Sequence, residues 1–561
     1  MKFFKFFKKI PVTPEERKLR NKQRIAGMLS GLLMGLAFPP VPFPFTLLIF
    51  MGLIPYLGVL EKKERLIDIN RFTYLTFFVF NLTTIYWVGS WTSEADPFLM
   101  IGGILLLFIN TAFFLIPSTL YYFARKTFGN LAALVLLPFF WVSYEYFYMI
   151  TDASFPWLTL GNGMTHFLSF IQIADILGAL GLSLLAVYIN VFFYLSYRNF
   201  RENKKLSYIS FIGGLILFLL PVIYGTYRLN SFMVSKDTIR VGLVQPNLDP
   251  WDKWSGTGGN ELTKLYLDLS RQAASKGAKV IFWPETALPY YLRDGSHRDA
   301  IDSIYNFIQR KGVYLITGMP DFTYFPDKSL APPDAKFSKL NEMFYATYNS
   351  VLLFSPYNFH IERYAKQKLV PFGERVPFVD ALPFLGDFLK WNVGISGWNV
   401  GRDTIVFNLL RAKKGAAPSL PDTVKVNSLV CFESVYPAFV ASFAQRGAQL
   451  ISVVTNDSWY GNSSGPYQHK EISVLRAIEN RRTVVRAANG GISTIIDPLG
   501  RTLVASKMFT RTVITGDAPL ETGLTFYSKH PLIIPYLSFM VSGLMIIVFF
   551  TIKTVRKVKQ S

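Results

Sequence analysis

Residues 426–439 read VNSLVCFESVYPAF, and Cys431 within them is the sole cysteine of the 561-residue chain. A lone thiol can serve as a nucleophile, because the thiolate attacks acyl carbon and forms a covalent intermediate. Two further stretches carry the groups such a thiol needs. In VIFWPETALP, Glu285 follows an apolar run and a proline; in YAKQKLVPFGERVPF, Lys366, Lys368 and Glu374 lie close together. A carboxylate within reach can act as general base. A lysine ammonium and the Phe432 amide can hold a developing oxyanion. The lysine also lowers the thiol pKa, and the segment SVYPAFVASFAQRG reads as a helix whose N-terminus favours the thiolate. Each residue has a plain structural explanation as well. A strand Cys is commonly a small buried hydrophobe, a Glu after Pro commonly flanks a helix cap, and a Lys in KQK is commonly a solvated charge. It is the set, in this order and in these local contexts at three expected strand ends, that points to nucleophilic acyl chemistry.

The elements that must position these groups have an α/β pattern. Short β-rich runs occur at TIRVGLVQPN, KVIFWPE, GVYLITGM, NSVLLFSP, NSLVCFE, QLISVVTND, GISTIIDPLG and RTVITGDAPL, with helical patterns such as GNELTKLYLDLSRQAASKG and RDAIDSIYNFIQRKG between several of them. Strands apolar on both faces imply a sheet covered on both sides, and in α/β sheets reactive groups gather at strand ends.

The rest of the chain is too apolar for water. Hydrophobic residues make up 51% of it, and only 17% are charged. Apolar segments near 25–38, 44–60, 73–91, 98–123, 130–150, 170–197, 207–227 and 531–552 predict about eight membrane spans. The first is short, and is expected either to extend into the basic segment or to form half of a re-entrant hairpin. The formal charge of +21 would suggest a nucleic-acid partner, but most of it flanks these segments. Residues 1–24 hold nine Lys/Arg against two Glu, and VLEKKERLIDINR, ARKTFGN and YRNFRENKK are basic. The alternating loops FPPVPFPF, WTSEADPF and TDASFPWLTLGNGMTH lack Lys and Arg. This places the basic loops and both termini in the cytoplasm. The expected organisation is a basic N-terminus over 1–24, seven transmembrane helices over 25–228, an outer catalytic domain over 229–528, an eighth helix over 529–553 and a basic tail over 554–561. Five scattered histidines without ligand spacing predict no catalytic metal. No cofactor and no nucleic-acid partner are expected, and the chain is expected to act as a monomer.

The order Glu285, Lys366, Cys431 resembles the Glu-Lys-Cys triad of the nitrilase (carbon-nitrogen hydrolase) superfamily. The whole chain is similar to its membrane branch, the apolipoprotein N-acyltransferases. KLVPFGERVPF, CFE, TNDSWYGNSSGPYQHKEISVLRAIENRRTVVRAANGGIST and, in the membrane part, FPWLTLG at 155–161 with Glu145 upstream carry the likeness. The resemblance selects Lys366 over Lys368. It implies an α-β-β-α sandwich outside a bacterial inner membrane, joined to a bundle of helices. It also implies a ping-pong transfer of a phospholipid sn-1 acyl chain, through a Cys431 thioester, to the α-amine of a diacylglyceryl-cysteine lipoprotein. Glu285 is implied as base and Lys366 as oxyanion stabiliser, with Glu374 and Glu433 orienting them. Trp254, Asn456, Glu145 and Trp157 are implied to support or contact substrate. At Phe432 the family often has Tyr, so any hydroxyl role there is lost while ring packing is kept. Glu374 and Glu433 can equally be read as structural partners of the lysine, and Trp254 as aromatic packing.

The apolar loop 376–398 is expected to dip into the bilayer interface as a lid or to pack as core, and 325–350 to form a second mobile arm or a disordered loop. Two other functions fit parts of the sequence. A membrane-anchored amidase or nitrilase would use the same triad but would need only one anchor. A transporter with a soluble appendage would need intramembrane acids, for which Glu145 and Asp175 are the candidates.

Overall fold

A computed structural model describes residues 13–91, 97–254, 259–378, 397–411 and 422–560. Most of the 376–398 loop lies outside the described residues. The first helix, Pro14–Leu36, is begun by its sequence: Thr13 and Glu16 exchange side-chain-to-backbone bonds in a capping box, with proline at the first position. It therefore extends through the basic segment, the first of the two expected arrangements. Among the described residues, five helices are long and apolar enough to cross a membrane: Leu99–Phe128, Asn130–Ile150, Ala174–Asn199, Lys204–Ser231 and Ile533–Lys559. The expected span at 44–60 is instead a 3₁₀ turn, Phe45–Phe50, followed by the seven-residue helix Ile54–Leu60. The segment near 73–91 becomes helix Leu66–Ile85, whose Asp68, Asn70, Arg71 and Asn81 dilute its apolar character.

Two sheets form the α/β domain. Strands β1 (Thr238–Gln245), β2 (Val280–Trp283), β3 (Tyr314–Phe325), β4 (Lys336–Ser338), β5 (Met343–Phe354) and β6 (Ile361–Ala365) join β13 (Thr512–Pro519) in a seven-stranded sheet. β7 (Phe407–Arg411), β8 (Asp422–Val430), β9 (Leu450–Thr455), β10 (Thr483–Ala488), β11 (Thr494–Ile496) and β12 (Thr502–Ala505) form a six-stranded one. β1, β2 and β3 run parallel, as do β8, β9 and β10. Helices Gly259–Ser275 and Arg298–Lys311 lie with the first sheet, and Pro437–Gln445 and Ser464–Asn480 with the second. This is the expected α-β-β-α sandwich. β2, β9 and β10 are buried throughout, as strands covered on both faces must be. Strands β4, β6, β7, β10 and β12 were not legible as apolar runs; several are short, edge-located or carry charges such as Arg363 and Arg486. The expected arm over 325–350 is an ordered antiparallel extension in which β3 and β5 pair from Leu315–Phe354 to Phe325–Phe344 and β4 adds to β5.

Helix Ser464–Asn480 joins the two halves of the molecule. Gln468 Oε1 accepts from the indole N–H groups of Trp87 (3.1 Å) and Trp157 (2.8 Å), while its Nε2 donates to the Pro39 and Thr84 carbonyls. Glu479 Oε1 accepts from the Ala179 N–H at 2.8 Å. That bond lies beside Gly178, whose φ of 67° kinks the span Ala174–Asn199 and whose missing Cβ would sit 2.2 Å from the Tyr527 ring. Beyond the helix, Arg481 Nη2 meets Asp175 Oδ2 at 2.6 Å, both side chains being buried. Asp175 thus ties a span to the two-sheet domain rather than marking an ion path. Asp175→Asn removes the carboxylate that Arg481 and, at 3.4 Å, Arg228 share, and leaves the buried Arg481 uncompensated. The expected loss is about 3 kcal/mol, read as a fall in Tm of the detergent-solubilised protein; an unchanged Tm would show the pair to be idle.

Candidate active site

The register of the two sheets brings the three candidate groups together. Glu285 follows β2, Lys366 follows β6 and Cys431 follows β8. β5 pairs Ser350 with Ala365, so Lys366 lies against Asn349, whose carbonyl accepts the Lys366 N–H at 2.8 Å. β8 pairs Val430 with Val454, so the next residues, Cys431 and Thr455, are neighbours.

Lys366 is 1% exposed, and its Nζ donates to Glu374 Oε1 at 2.8 Å and Glu285 Oε1 at 3.2 Å. Burial alone would lower this ammonium, but Glu285, Glu374 and Cys431 outweigh it and hold Lys366 above the ordinary lysine range. Asn349 Nδ2 donates to both carboxylates, at 2.7 Å to Glu285 and 3.0 Å to Glu374. The Asn456 N–H donates to Glu285 Oε2 at 3.1 Å. Glu285 is thus aimed by Lys366, Asn349 and Asn456 together. Gly318 on β3 permits its approach, since a Cβ there would lie 2.6 Å from the Glu285 Cα.

Cys431 is partly exposed and has φ of 51°, the left-handed region that a non-glycine residue occupies at a cost. A 3₁₀ turn over Cys431–Val435 follows it, and the helix begins only at Pro437. The expected helix N-terminus at the thiol is therefore absent. The Phe432 N–H lies in the first turn of that 3₁₀ segment, where N–H groups lack an intrahelical partner. The thiol pKa also differs from expectation. Burial and then Glu285 push it well above its ordinary value, and the opposing pull of Lys366 and Thr455 does not cancel them. This shift favours the neutral thiol and gives a general base a role.

Glu433 is fully buried and makes no ion pair with the lysine. Its Oε1 accepts from Tyr364 OH (2.7 Å) and from the backbone N–H of Gln367 (2.6 Å) and Lys368 (3.3 Å), and its Oε2 from Val430 N–H (2.8 Å). It clamps the lysine loop to the nucleophile turn. Glu374 does pair with the lysine, and its Oε2 also accepts from the Val370 N–H at 2.8 Å. Phe432 stacks on Phe155 with centroids 5.5 Å apart, and Phe155 stacks on Trp157 at 5.6 Å. Glu145 Oε1 accepts from Trp141 Nε1 at 3.0 Å and Leu160 N–H at 2.9 Å, so it holds the 155–161 loop in place. Among the described residues, Trp254 makes no hydrogen bond to the triad; its ring lies 5.8 Å from Lys253 Nζ. Its neighbour Lys253 is buried, with Nζ donating to the Thr286 carbonyl at 2.8 Å. Burial pushes Lys253 down to about 8 against the opposing charge of Glu285.

Sequence reading missed Asn349, Lys253, Thr455 and a buried group behind the sulfur. The signal for Asn349 was a polar residue inside the apolar run of β5. Behind the sulfur, Cys431, Asp457 and His469 each offer a ligand atom within 4.8 Å of the others. Arg486 already serves this cluster, with Nη2 2.6 Å from Asp457 Oδ2 and 2.8 Å from His469 Nδ1. A metal cation would have to displace a buried guanidinium, so the donor set does not fit one. Burial works to raise Asp457, yet Arg486 and His469 hold it below the usual carboxylate range.

Comparison with known proteins gives two family matches: carbon-nitrogen hydrolase over residues 240–523 and apolipoprotein N-acyltransferase N-terminal domain over 30–192. The chain is similar to an apolipoprotein N-acyltransferase of Chlorobaculum tepidum, 34% identical over 95% of this chain and 97% of that one. It is similar to those of Geobacter metallireducens, at 30% over 92% and 93%, and Rickettsia typhi, at 30% over 86% and 88%.

Two outcomes are expected. Gly318→Ala should displace Glu285 and lower acyl transfer by about tenfold or more, with circular dichroism unchanged; full activity would show that the contact is not needed. Because the thiol is pushed up, iodoacetamide should alkylate Cys431 more slowly than free cysteine at neutral pH. The rate should keep climbing above about pH 9, where an ordinary thiol near 8.5 levels off.

Proposed function

The chain belongs to the apolipoprotein N-acyltransferase family, and on that premise we propose that it moves an acyl chain from a phospholipid to the α-amine of a diacylglyceryl-cysteine lipoprotein through a thioester on Cys431. The observation that carries the reading is the convergence of Glu285 and Lys366 on one buried ion pair beside the Cys431 turn, in a chain with five helices among its described residues long and apolar enough to cross a membrane.

In the first half-reaction the Cys431 proton passes to Glu285, and the sulfur attacks the sn-1 ester carbonyl. Lys366 Nζ and the Phe432 N–H stabilise the oxyanion. The ester C–O bond breaks, Glu285 returns the proton to the departing oxygen, and a lysophospholipid leaves. In the second half-reaction Glu285 takes a proton from the incoming amine, whose nitrogen attacks the thioester. The C–S bond breaks, and the sulfur recovers its proton from Glu285. Glu374 and Asn349 keep Lys366 and Glu285 aligned, and Glu433 fixes the lysine loop. Asn456 orients Glu285, Glu145 and Trp157 hold the membrane loop against Phe432, and Trp254 borders the substrate path.

The enzyme is an integral membrane protein, and we assign the catalytic domain to the outer side of the bacterial inner membrane as a monomer. Support comes from opposite ends of the spans. Arg198 pairs with Glu61 at 2.7 Å and Arg125 with Glu64 at 2.7 Å. These basic groups lie near the Asn130 and Asn199 ends of two spans, whose opposite ends touch the catalytic domain through Ser154–Tyr436 and Asp175–Arg481. The 21-residue helix Asn130–Ile150 separates the two ends by about 31 Å, close to the thickness of a hydrocarbon core.

Exposing purified protein to phospholipid should give a hydroxylamine-labile acyl adduct that mass spectrometry maps to Cys431. Cys431→Ser should abolish transfer and leave membrane insertion normal. Hydrolysis of a soluble amide, with no transfer to a lipopeptide amine, would place the protein with the small-molecule amidases instead.

A further inference from the structure

Thr455 ends β9 one residue beyond the Val430–Val454 pair, which sets its side chain beside the nucleophile. Its Oγ1 lies 3.2 Å from Cys431 Sγ and 3.1 Å from Asp457 Oδ1. A hydroxyl has one proton to donate, so it serves one of these acceptors at a time. While the sulfur is a neutral thiol, the Asp457 carboxylate is the stronger acceptor. Once the sulfur carries negative charge, the balance changes. Asp457 keeps its charge partner without Thr455, because Arg486 Nη2 lies 2.6 Å from its Oδ2. Turning the hydroxyl away therefore leaves Asp457 paired, while the sulfur gains a charge-assisted hydrogen bond in a buried site. Among the described residues, no other side chain donates to Sγ. Of the other charges near the sulfur, Asp457 opposes a thiolate, Lys366 favours it, and Glu285 opposes it only until it takes the thiol proton.

We propose that Thr455 is a catalytic residue of the transfer reaction, a donor that turns from Asp457 to the Cys431 sulfur whenever that sulfur bears negative charge. This rests on the reading of Cys431 as the acyl carrier. The turn occurs twice per cycle. It occurs first when the thiol proton has gone to Glu285 and the sulfur is about to attack. It occurs again when the C–S bond breaks and the electron pair returns to sulfur. Between these events the thioester sulfur is neutral and a poor acceptor, and the hydroxyl returns to Asp457. Thr455 keeps its own proton throughout, so the proton balance of the reaction is unchanged.

The test uses full-length protein in detergent and the variants Thr455→Val, Thr455→Ala and Thr455→Ser. One readout is Cys431 alkylation by iodoacetamide from about pH 7 to about pH 10, which spans ordinary thiol titration and requires no lipid. The other is the rate of acyl-Cys431 formation from mixed micelles of dioleoyl phosphatidylethanolamine. Val and Ala should slow both by about tenfold to a hundredfold, the range of a hydrogen bond to a charged group. Ser should restore both to within about threefold of the parent. Should the valine variant melt early, the alanine variant decides. Alkylation profiles of Val and Ala that coincide with the parent would overturn the proposal, as would a Ser variant as slow as Val. A parent protein that alkylates at Cys431 but forms no acyl adduct would overturn the acyl-carrier reading instead, while the alkylation comparison would still judge Thr455.

Discussion

One buried ammonium between two carboxylates governs this molecule. Lys366, between Glu285 and Glu374, is removed from water, and such a charge is tolerated only when its partners are close and its remaining bonds are filled. Meeting that condition dictates much of the domain. β5 must present Asn349 to both acids, β6 must end just before Lys366, and the loop after it must fold back so that Glu374 returns eight residues later. The two sheets must also face each other, because Glu285 comes from one and the sulfur from the other. The ammonium therefore acts as a gauge of correct assembly as well as a chemical group.

A second constraint is that the nucleophile turn is braced from behind. Cys431 holds a left-handed backbone, and that strain persists only where the surroundings fix it. Glu433 fixes it from the lysine side. His469 does so from the other, with Nε2 3.0 Å from Ser434 Oγ and 3.1 Å from the Cys431 carbonyl. His469 and Gln468 are consecutive on one helix, so the residue that supports the turn is adjacent to the one that receives the membrane loop.

Glu285 and Cys431 were readable in the sequence, because each follows an apolar run that becomes a strand, β2 and β8; Lys366 follows β6, which was not legible as one, and the family resemblance chose it over Lys368. The electrostatics of these groups were not readable. Spacing predicted a helix start at the thiol and a lowered pKa; the 3₁₀ turn before Pro437 removed the first, and burial beside Glu285 reversed the second. Asn349, Thr455 and Arg486 escaped notice because a polar residue inside a strand gives no sign of which sheet face or neighbour it serves until register is known. In the membrane part, hydropathy located the long spans but not the broken segment Phe45–Leu60, where apolar composition and short, interrupted helices coincide. Conversely, β4 turned an expected loose arm into sheet through edge pairing that three residues could not announce.

The Phe155–Phe432 stack has a consequence for how this architecture can be taken apart. The ring beside the sulfur rests on a loop that belongs to the spans, not to the sandwich. A sandwich cut free of its helices would expose the face that Trp87, Trp157 and Gln468 now seal, and the nucleophile turn would lose its lining. The catalytic unit is therefore not a module that swapping anchors would preserve. Lineages that exchange this bundle for a single tether would have to rebuild the wall of the pocket from their own sheet.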